Sequence, residues 1–284
     1  LAVGDAVGTT LEFKPRGTFT PINDMVGGGP FGLPVGAWTD DTSLALCLAT
    51  SFVEKQAFDA ADQMHRYCNW WQHGYLSSTG DCFDIGNTTI AALSGFLRTG
   101  DAYAGSTHPQ AAGNGSIMRL APVPMFYSGD ERKVVHFSAE SSRTTHGAAE
   151  CVDACAFYGS MIDRALRGQS KDAILDGGDF RPKTPKITAI ANGEYKSKPI
   201  GQIRGSGYVV ESLEAALWCF YTTETYRDAV LKAANLGDDT DTTAAVVGQV
   251  AGAYYGLSGI PSTWVEKLVM RSEIEALAVA LWEA

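Results

Sequence analysis

From Thr42 to Lys55 the apolar positions Leu44, Cys47, Leu48 and Phe52 recur at steps of three and four. That spacing places them on one face of a helix. The same period predicts helices over Asp59–Gln72, Thr88–Arg98, Gly147–Leu166, Val209–Phe220, Thr225–Asn235, Thr242–Tyr255 and Thr263–Leu281, the last as two helices. Alternation with the period of a strand is absent over any useful length. The stretch Gly177–Tyr208 is rich in Gly, Pro and Lys and predicts a long polar loop, of a length that goes with function or motion in a compact domain. No repeat, linker or low-complexity tract interrupts the pattern, so the reading is a single compact all-α domain over residues 1–284.

One predicted helix is unlike the rest. In Thr242–Gly256, Gly248, Gly252 and Gly256 recur every four residues beside Ala244, Ala245 and Ala251. Small residues at that step let another helix approach closely, which predicts a tightly packed central helix. The run is too short for a membrane span and contains Gln249.

Bulk properties narrow the function. At 284 residues the chain is long for one domain but within range, and 45% hydrophobic with 19% charged residues is an ordinary globular balance. The net charge of −10 and the lack of a basic run give no electrostatic footprint for nucleic acid. An acidic chain still binds an anion where backbone N–H groups or metal ions are presented locally. No apolar run reaches the roughly 18 residues of a membrane span. The six cysteines, Cys47, Cys68, Cys82, Cys151, Cys155 and Cys219, are scattered without a C-x-x-C pair, and read as small buried hydrophobes of a reducing, cytoplasmic protein. The chain begins at Leu1, not Met, which points to a native N-terminus further upstream.

Acidic residues crowd two predicted helix starts. "GAWTDDTSLAL" sets Thr39, Asp40, Asp41 and Thr42 together, and "GDDTDTTAA" sets Asp238, Asp239, Thr240, Asp241 and Thr242 together. Helix capping explains one acid at each place, because Asp and Thr accept hydrogen bonds from the first free N–H groups. Adjacent acids repel each other unless a cation sits among them. Carboxylates and threonine hydroxyls are hard oxygen ligands that suit Mg²⁺ or Mn²⁺ rather than zinc or copper. Two such junctions facing each other make a two-metal site. Glu12, in "GDAVGTTLEF", is a lone acid in an apolar setting that reads equally as a surface residue.

Other stretches offer ligand contacts. Gly113, Asn114, Gly115 and Ser116 lead into a short apolar run, so their N–H groups can cradle a phosphate or simply make a tight turn. Asp84 and Asn87 flank Gly86 in "CFDIGNTT", where an Asx turn is the plain alternative. His146 stands at a helix start, as a cap, a core residue or a neutral donor to a phosphate. Tyr208 lies between a loop and a helix, placed to stack on a base or to pack.

In chain order, "GDAVGTTLEF", "WTDDT", "DIGNTT", "GNGSIMRLAPV", "TTHGAAECVDAC", "GSGYVVESLEAAL" and "GDDTDTTAAVVGQVAGAYYG" span nearly the whole sequence, and the set resembles the ADP-ribosylglycohydrolase family. The resemblance implies an all-α fold with a cleft holding two Mg²⁺ or Mn²⁺ ions. It implies hydrolysis of the bond between the distal ribose of ADP-ribose and a protein side chain. Thr39, Asp40 and Asp41 resemble the first metal-ligand set. Asp239, Asp241 and Thr242 resemble the second, with Asp241 as the bridge. Glu12 matches an acid kept near the metals, and the catalytic set would be Glu12, Asp40, Asp84 and Asp241. Gly113, Asn114, Gly115 and Ser116 resemble the pyrophosphate contact. His146 and Tyr208 resemble further ADP-ribose contacts, and Asp84 resembles an aspartate near the scissile bond in members acting on arginine. The family often has a glycine where this chain has Asp238, which leaves an outward acid or an added influence on the metals. The expected partner is an ADP-ribosylated protein, with ADP-ribose as product, and the expected state a monomer. The favoured substrate is ADP-ribosyl-arginine. The alternatives are serine-linked or O-acetyl-ADP-ribose, or a non-catalytic relative that binds ADP-ribose.

Overall fold

The helix that carries the small residues is the centre of the molecule. The computed structural model describes all residues from Leu1 to Ala284. Its helices are α1 (Ala2–Gly8), α2 (Asp40–Lys55), α3 (Ala60–His73), α4 (Asn87–Thr99), α5 (Pro122–Phe126), α6 (Glu131–Thr145), α7 (Ala149–Leu166), α8 (Lys171–Leu175), α9 (Pro185–Ala191), α10 (Val209–Tyr221), α11 (Tyr226–Ala234), α12 (Thr240–Tyr255), α13 (Ser262–Lys267) and α14 (Arg271–Trp282). There is no sheet, only isolated bridges, one of which joins Gly113 to Tyr208. No helix is long and apolar enough to cross a membrane.

Every residue of α12 from Thr240 to Ala251 is buried, and α1, α2, α7, α10 and α11 pack around it. The closest neighbour is α1. A Cβ on Gly4 would stand 2.1 Å from the Ala244 carbonyl oxygen, and one on Gly8 would stand 2.3 Å from that of Thr240. The two helices therefore touch backbone to backbone, which only glycine on α1 permits. The close approach uses Gly248 and Ala244 but not the far end of α12. Gly256 adopts φ +69° just past the last helical residue and faces open space, so it ends the helix rather than packing it.

Most predicted helices appear within a residue or two of their expected limits. The informative shift is at α2 and α12, which begin at Asp40 and Thr240 rather than Thr42 and Thr242. Thr39 and Asp239 take the cap positions, and neither makes a side-chain cap bond. Asp40, Asp41 and Asp241 lie inside the first turns, where the positive helix end favours them.

The expected loop Gly177–Tyr208 is corrected by the structure. It contains α9 and two short turns of 3₁₀ helix, Glu194–Ser197 and Ile200–Gln202. Ile187, Ile190, Tyr195 and Ile203 are buried. Its entry is tied down by Asp153 on α7, whose Oδ2 accepts from the N–H groups of Lys183 and Thr184 and from the Thr184 hydroxyl. Isolated apolar residues among Gly, Pro and Lys carry no periodic signal, yet α9 packs on α7 and α10, and the Glu194–Ser197 turn packs on α10. Two helices of consequence also lack a legible period. The short α1 is nearly all small residues, and α6 puts Ser138, Ser141 and Ser142 on its buried face. All six cysteines are free thiols, five of them buried.

Candidate metal centre and ligand cleft

The first turns of α2 and α12 meet through Asp5 on α1. This carboxylate is fully buried and caps α2 from outside. Oδ1 accepts from the Thr39 N–H at 3.0 Å and the Thr39 hydroxyl at 3.0 Å. Oδ2 accepts from the Thr42 N–H at 3.1 Å and the Thr42 hydroxyl at 2.6 Å. The cap thus comes from 34 and 37 residues away in sequence, and leaves Asp40 and Asp41 free to face α12. The Thr39 hydroxyl also lies 3.1 Å from Asp241 Oδ2, and Thr242 donates to Asp41 Oδ1 at 3.3 Å.

Two carboxylate triads result. Oxygens of Asp40, Asp41 and Asp241 lie within 4.8 Å of one another, as do oxygens of Glu12, Asp84 and Asp241. Asp241 belongs to both, the position expected of a bridging ligand. Glu12 arrives because residues 13 and 14 pair with residue 238: the Phe13 N–H donates to the Asp238 carbonyl, and the Asp238 N–H to that of Lys14. Arg16 locks this crossing, donating to the carbonyls of Leu236, Ile200 and Ile203. Asp84 reaches the triad from a backbone at φ +61°, a left-handed turn that costs a non-glycine residue free energy and aims its carboxylate inward.

Burial first, and mutual repulsion second, raise these acids. Asp40, Asp41 and Asp241 are pushed well above the usual carboxylate range, by desolvation and then by one another and their acidic neighbours. Glu12 is pushed up to about 10 by burial and by the charges of Asp84, Asp239 and Asp5. Asp84 rises to about 7 through burial, while hydrogen bonds with Asp241 and Glu12 pull it down. Glu12 Oε2, Asp41 Oδ2 and Asp241 Oδ1 are buried with no hydrogen-bond partner. Buried polar atoms are almost always satisfied. An oxygen-only donor set with orphaned, repelling carboxylates fits a divalent hard cation, which would satisfy the orphans and offset the repulsion.

Glu12, Asp40, Asp84 and Asp241 of the triads form one wall of a cleft of about 380 Å³. Gly113, Asn114, Gly115 and His146 line the other side. Asn114 donates to Asp239 Oδ2 at 2.8 Å, which ties the glycine loop to the acidic wall. Asp239 lines the cleft but belongs to neither triad. His146 is buried, and desolvation, then the charge of Arg119, lowers its pKa to about 3, so the imidazole is neutral. Its ring rests on the glycine loop: a Cβ on Gly115 would come within 2.7 Å of it. The Ser116 side chain turns away from the cleft, into the core, where its hydroxyl lies 2.9 Å from that of Ser142. Only its backbone remains for a ligand.

Tyr208 sits beyond the glycine loop in an adjoining cavity of about 710 Å³, which shares Thr88, Gly113 and Gly207 with the cleft. Its hydroxyl meets Glu150 and Lys186, and the Lys186 ammonium lies 4.8 Å from the ring centroid. Asp238, the residue without a place in sequence, turns outward. It holds φ +68°, a conformation natural to glycine, and its carboxylate faces Arg204 at 3.5 Å on the surface. The residue that sequence reasoning missed is Asp5. Its motif was visible, but its partners are distant in the chain.

The ADP-ribosylglycohydrolase family profile matches residues 1–284. The chain is 48% identical over 283 residues to ADP-ribosylarginine hydrolase Tri1 of Pseudomonas putida (strain GB-1), covering 100% of this chain and 76% of that one. It is 45% identical over 282 residues to ADP-ribosylarginine hydrolase Tri1 of Serratia proteamaculans (strain 568), covering 99% and 76%. Among solved structures, an "ADP-ribosylglycohydrolase-related protein complex" superposes with a TM-score of 0.87 at 41% identity, covering 99% of this chain and 94% of that chain.

Proposed function

The chain belongs to the ADP-ribosylglycohydrolase family, and from that premise we propose that it hydrolyses the N-glycosidic bond of ADP-ribosyl-arginine on modified proteins. The observation that carries this reading is the joining of two carboxylate triads through Asp241, opposite a glycine loop and a neutral histidine, in one cleft. The choice of arginine is supported by the name of the relative at 48% identity and by Asp84 at the cleft wall.

Thr39, Asp40, Asp41, Asp239, Asp241 and Thr242 would hold two Mg²⁺ or Mn²⁺ ions. Bound there, the ions would supply positive charge for the ribose hydroxyls and would acidify a water. The remaining chemistry belongs to the chain. Backbone N–H groups of Gly115 and Ser116 and the His146 imidazole receive the diphosphate. Tyr208 takes the adenosine end in the adjoining cavity. Asp84 pairs with the guanidine group through charge-assisted hydrogen bonds and so sets the scissile bond. Carboxylate oxygens of Glu12 and Asp84 lie within 4.8 Å of each other in one triad, so the pair is placed to give a proton and to take one back. As the C1″–N bond breaks, the guanidine nitrogen gains a proton from this pair. The water that forms the new C1″–O bond returns a proton to it. Nearby carboxylates stabilise the positive charge that grows on the sugar.

A panel of arginine-, serine- and acetyl-linked ADP-ribose, each with Mg²⁺, Mn²⁺ or chelator, tests the reading. Release of ADP-ribose from the arginine linkage, lost with chelator and in Asp40→Ala and Asp241→Ala, is the expected result. Full activity in both variants ends the metal reading. Binding of ADP-ribose without release from any linkage makes the chain a binding relative.

A further inference from the structure

Arg119 is fully buried and forms no ion pair with any carboxylate. A buried cation without a counter-charge is costly, so such an arrangement calls for a reason. Its guanidinium is held by neutral groups. It donates to the Gly115 carbonyl at 2.8 Å, to the Thr145 hydroxyl at 2.7 Å and to the Thr144 hydroxyl at 3.3 Å. The Tyr67 ring lies 4.7 Å away, and Nε finds no acceptor.

Two consequences follow from these bonds. A trans peptide sets its C=O and N–H on opposite sides. Turning the Gly115 carbonyl onto Arg119 therefore turns the Ser116 N–H away from it, and neither that N–H nor the Gly115 N–H donates to a protein acceptor. Thr145 carries the second consequence. Its hydroxyl oxygen accepts from Arg119, and the one acceptor in reach of its proton is His146 Nδ1 at 2.8 Å, so the proton goes there. A neutral imidazole that accepts at Nδ1 carries its proton on Nε2. His146 lines the cleft, and its Nε2 lies against the glycine loop.

We propose that Arg119 is the positioning residue of the diphosphate site: it draws the Gly115 carbonyl out of the way and, through Thr145, fixes the His146 proton on Nε2, so that a diphosphate meets donors only. The buried positive charge, set behind the loop with no carboxylate beside it, is then matched when the anion arrives in front. This role rests on the ADP-ribose reading of the cleft, but not on turnover.

The test uses the whole chain with Mg²⁺. Long-range nitrogen–proton NMR reads the His146 tautomer without ligand, and calorimetry reads ADP-ribose and Mn²⁺ binding. The wild type shows His146 as the Nε2–H form. Arg119→Met binds ADP-ribose about tenfold or more weakly, as loss of a charge-assisted hydrogen bond implies, with Mn²⁺ affinity unchanged. Arg119→Lys restores part of the loss because it returns the charge. Thr145→Val, which removes only the relay hydroxyl, abolishes the single tautomer and weakens ADP-ribose binding. It stands as the deciding variant where Arg119→Met does not fold. The proposal is overturned by Nδ1–H in the wild type, by an unchanged tautomer in Thr145→Val, or by wild-type ADP-ribose affinity in folded Arg119→Met. A wild type that binds ADP-ribose yet releases none from ADP-ribosyl-arginine removes the proposed reaction and leaves this role standing.

Discussion

Replacing Asp5 with alanine removes the external cap of α2 and tests how the proposed ligands Thr39, Asp40 and Asp41 are held. Asp5 accepts four hydrogen bonds, two from backbone N–H groups and two from hydroxyls. The Thr39 hydroxyl has a second acceptor, since it already lies 3.1 Å from Asp241 Oδ2, and the Thr42 hydroxyl can turn about its side chain. The two N–H groups have none. Each left buried and unpaired costs about 1–3 kcal/mol, or about 2–6 kcal/mol together. Removal of a buried carboxylate returns part of that through its desolvation cost, so the net loss should be about 3 kcal/mol. At roughly 2–4 °C per kcal/mol, thermal unfolding should fall by about 6–12 °C. The same change frees Thr39, Asp40 and Asp41 from their orientation. Supporting groups around metal ligands are commonly worth about ten- to a hundredfold in affinity, so Mn²⁺ binding should weaken by about tenfold or more. Calorimetry for the metal and thermal scans of the metal-free protein read the two effects separately. Asp5→Asn should fall between, because it keeps one acceptor and presents an amide donor to the other threonine. Wild-type melting together with wild-type Mn²⁺ affinity in Asp5→Ala would refute the capping argument.

Three other outcomes follow from the geometry. Gly8→Ala, whose new Cβ would stand 2.3 Å from the Thr240 carbonyl oxygen and 2.6 Å from Asp241 Cα, should cost about 3 kcal/mol or more and lower Mn²⁺ affinity; a fully stable, fully metal-binding variant contradicts the backbone contact of α1 and α12. His146 takes up no proton until about pH 3 when folded but does so near its ordinary 6.5 when unfolded, so its contribution to stability is lost as pH falls below 6.5, at up to about 1.4 kcal/mol per pH unit. Melting at pH 7 and pH 5 should therefore diverge less in His146→Gln than in the wild type, and an equal divergence would place the histidine in water. Asp238→Gly relieves a left-handed backbone at φ +68° and loses a surface pair with Arg204, so stability should rise by up to about 1 kcal/mol with Mn²⁺ affinity unchanged. A marked fall in metal affinity would instead make Asp238 part of the ion site.

How far the chain is legible from its residues depends on the distance over which each feature is specified. The helices α2, α3, α4, α7, α10, α11 and α12 are written in local periodicity, and the acids at the starts of α2 and α12 lie within a few positions of one another. Both were legible because a helix and its first turn are short-range objects. The stretch around Ile187, Ile190, Tyr195 and Ile203 reads as loop because its few apolar residues are too sparse to show a period, and its elements pack on α7 and α10, which local sequence does not show. From its neighbours Asp84 reads as a ligand contact or an Asx turn, since only a left-handed backbone beside Glu12 makes it a cleft residue. The loop Gly113–Ser116 reads as a phosphate cradle or a tight turn, and nothing near Ser116 in sequence shows that its side chain turns into the core toward Ser142.

The sequence by itself determined an all-α chain, a central helix of small residues, and two strips of hard oxygen ligands at helix starts. These follow from side-chain period, size and charge over a few neighbouring positions. Only the tertiary structure decided that α1, with Gly4 and Gly8, presses on α12, that Asp5 rather than Thr39 caps α2, and that Asp241 joins both triads. It also decided that Arg119 stands uncompensated behind the glycine loop. Each of these depends on groups brought together across tens to hundreds of residues, where distance in space, not spacing along the chain, sets the energy of a contact, a buried hydrogen bond or a pair of charges.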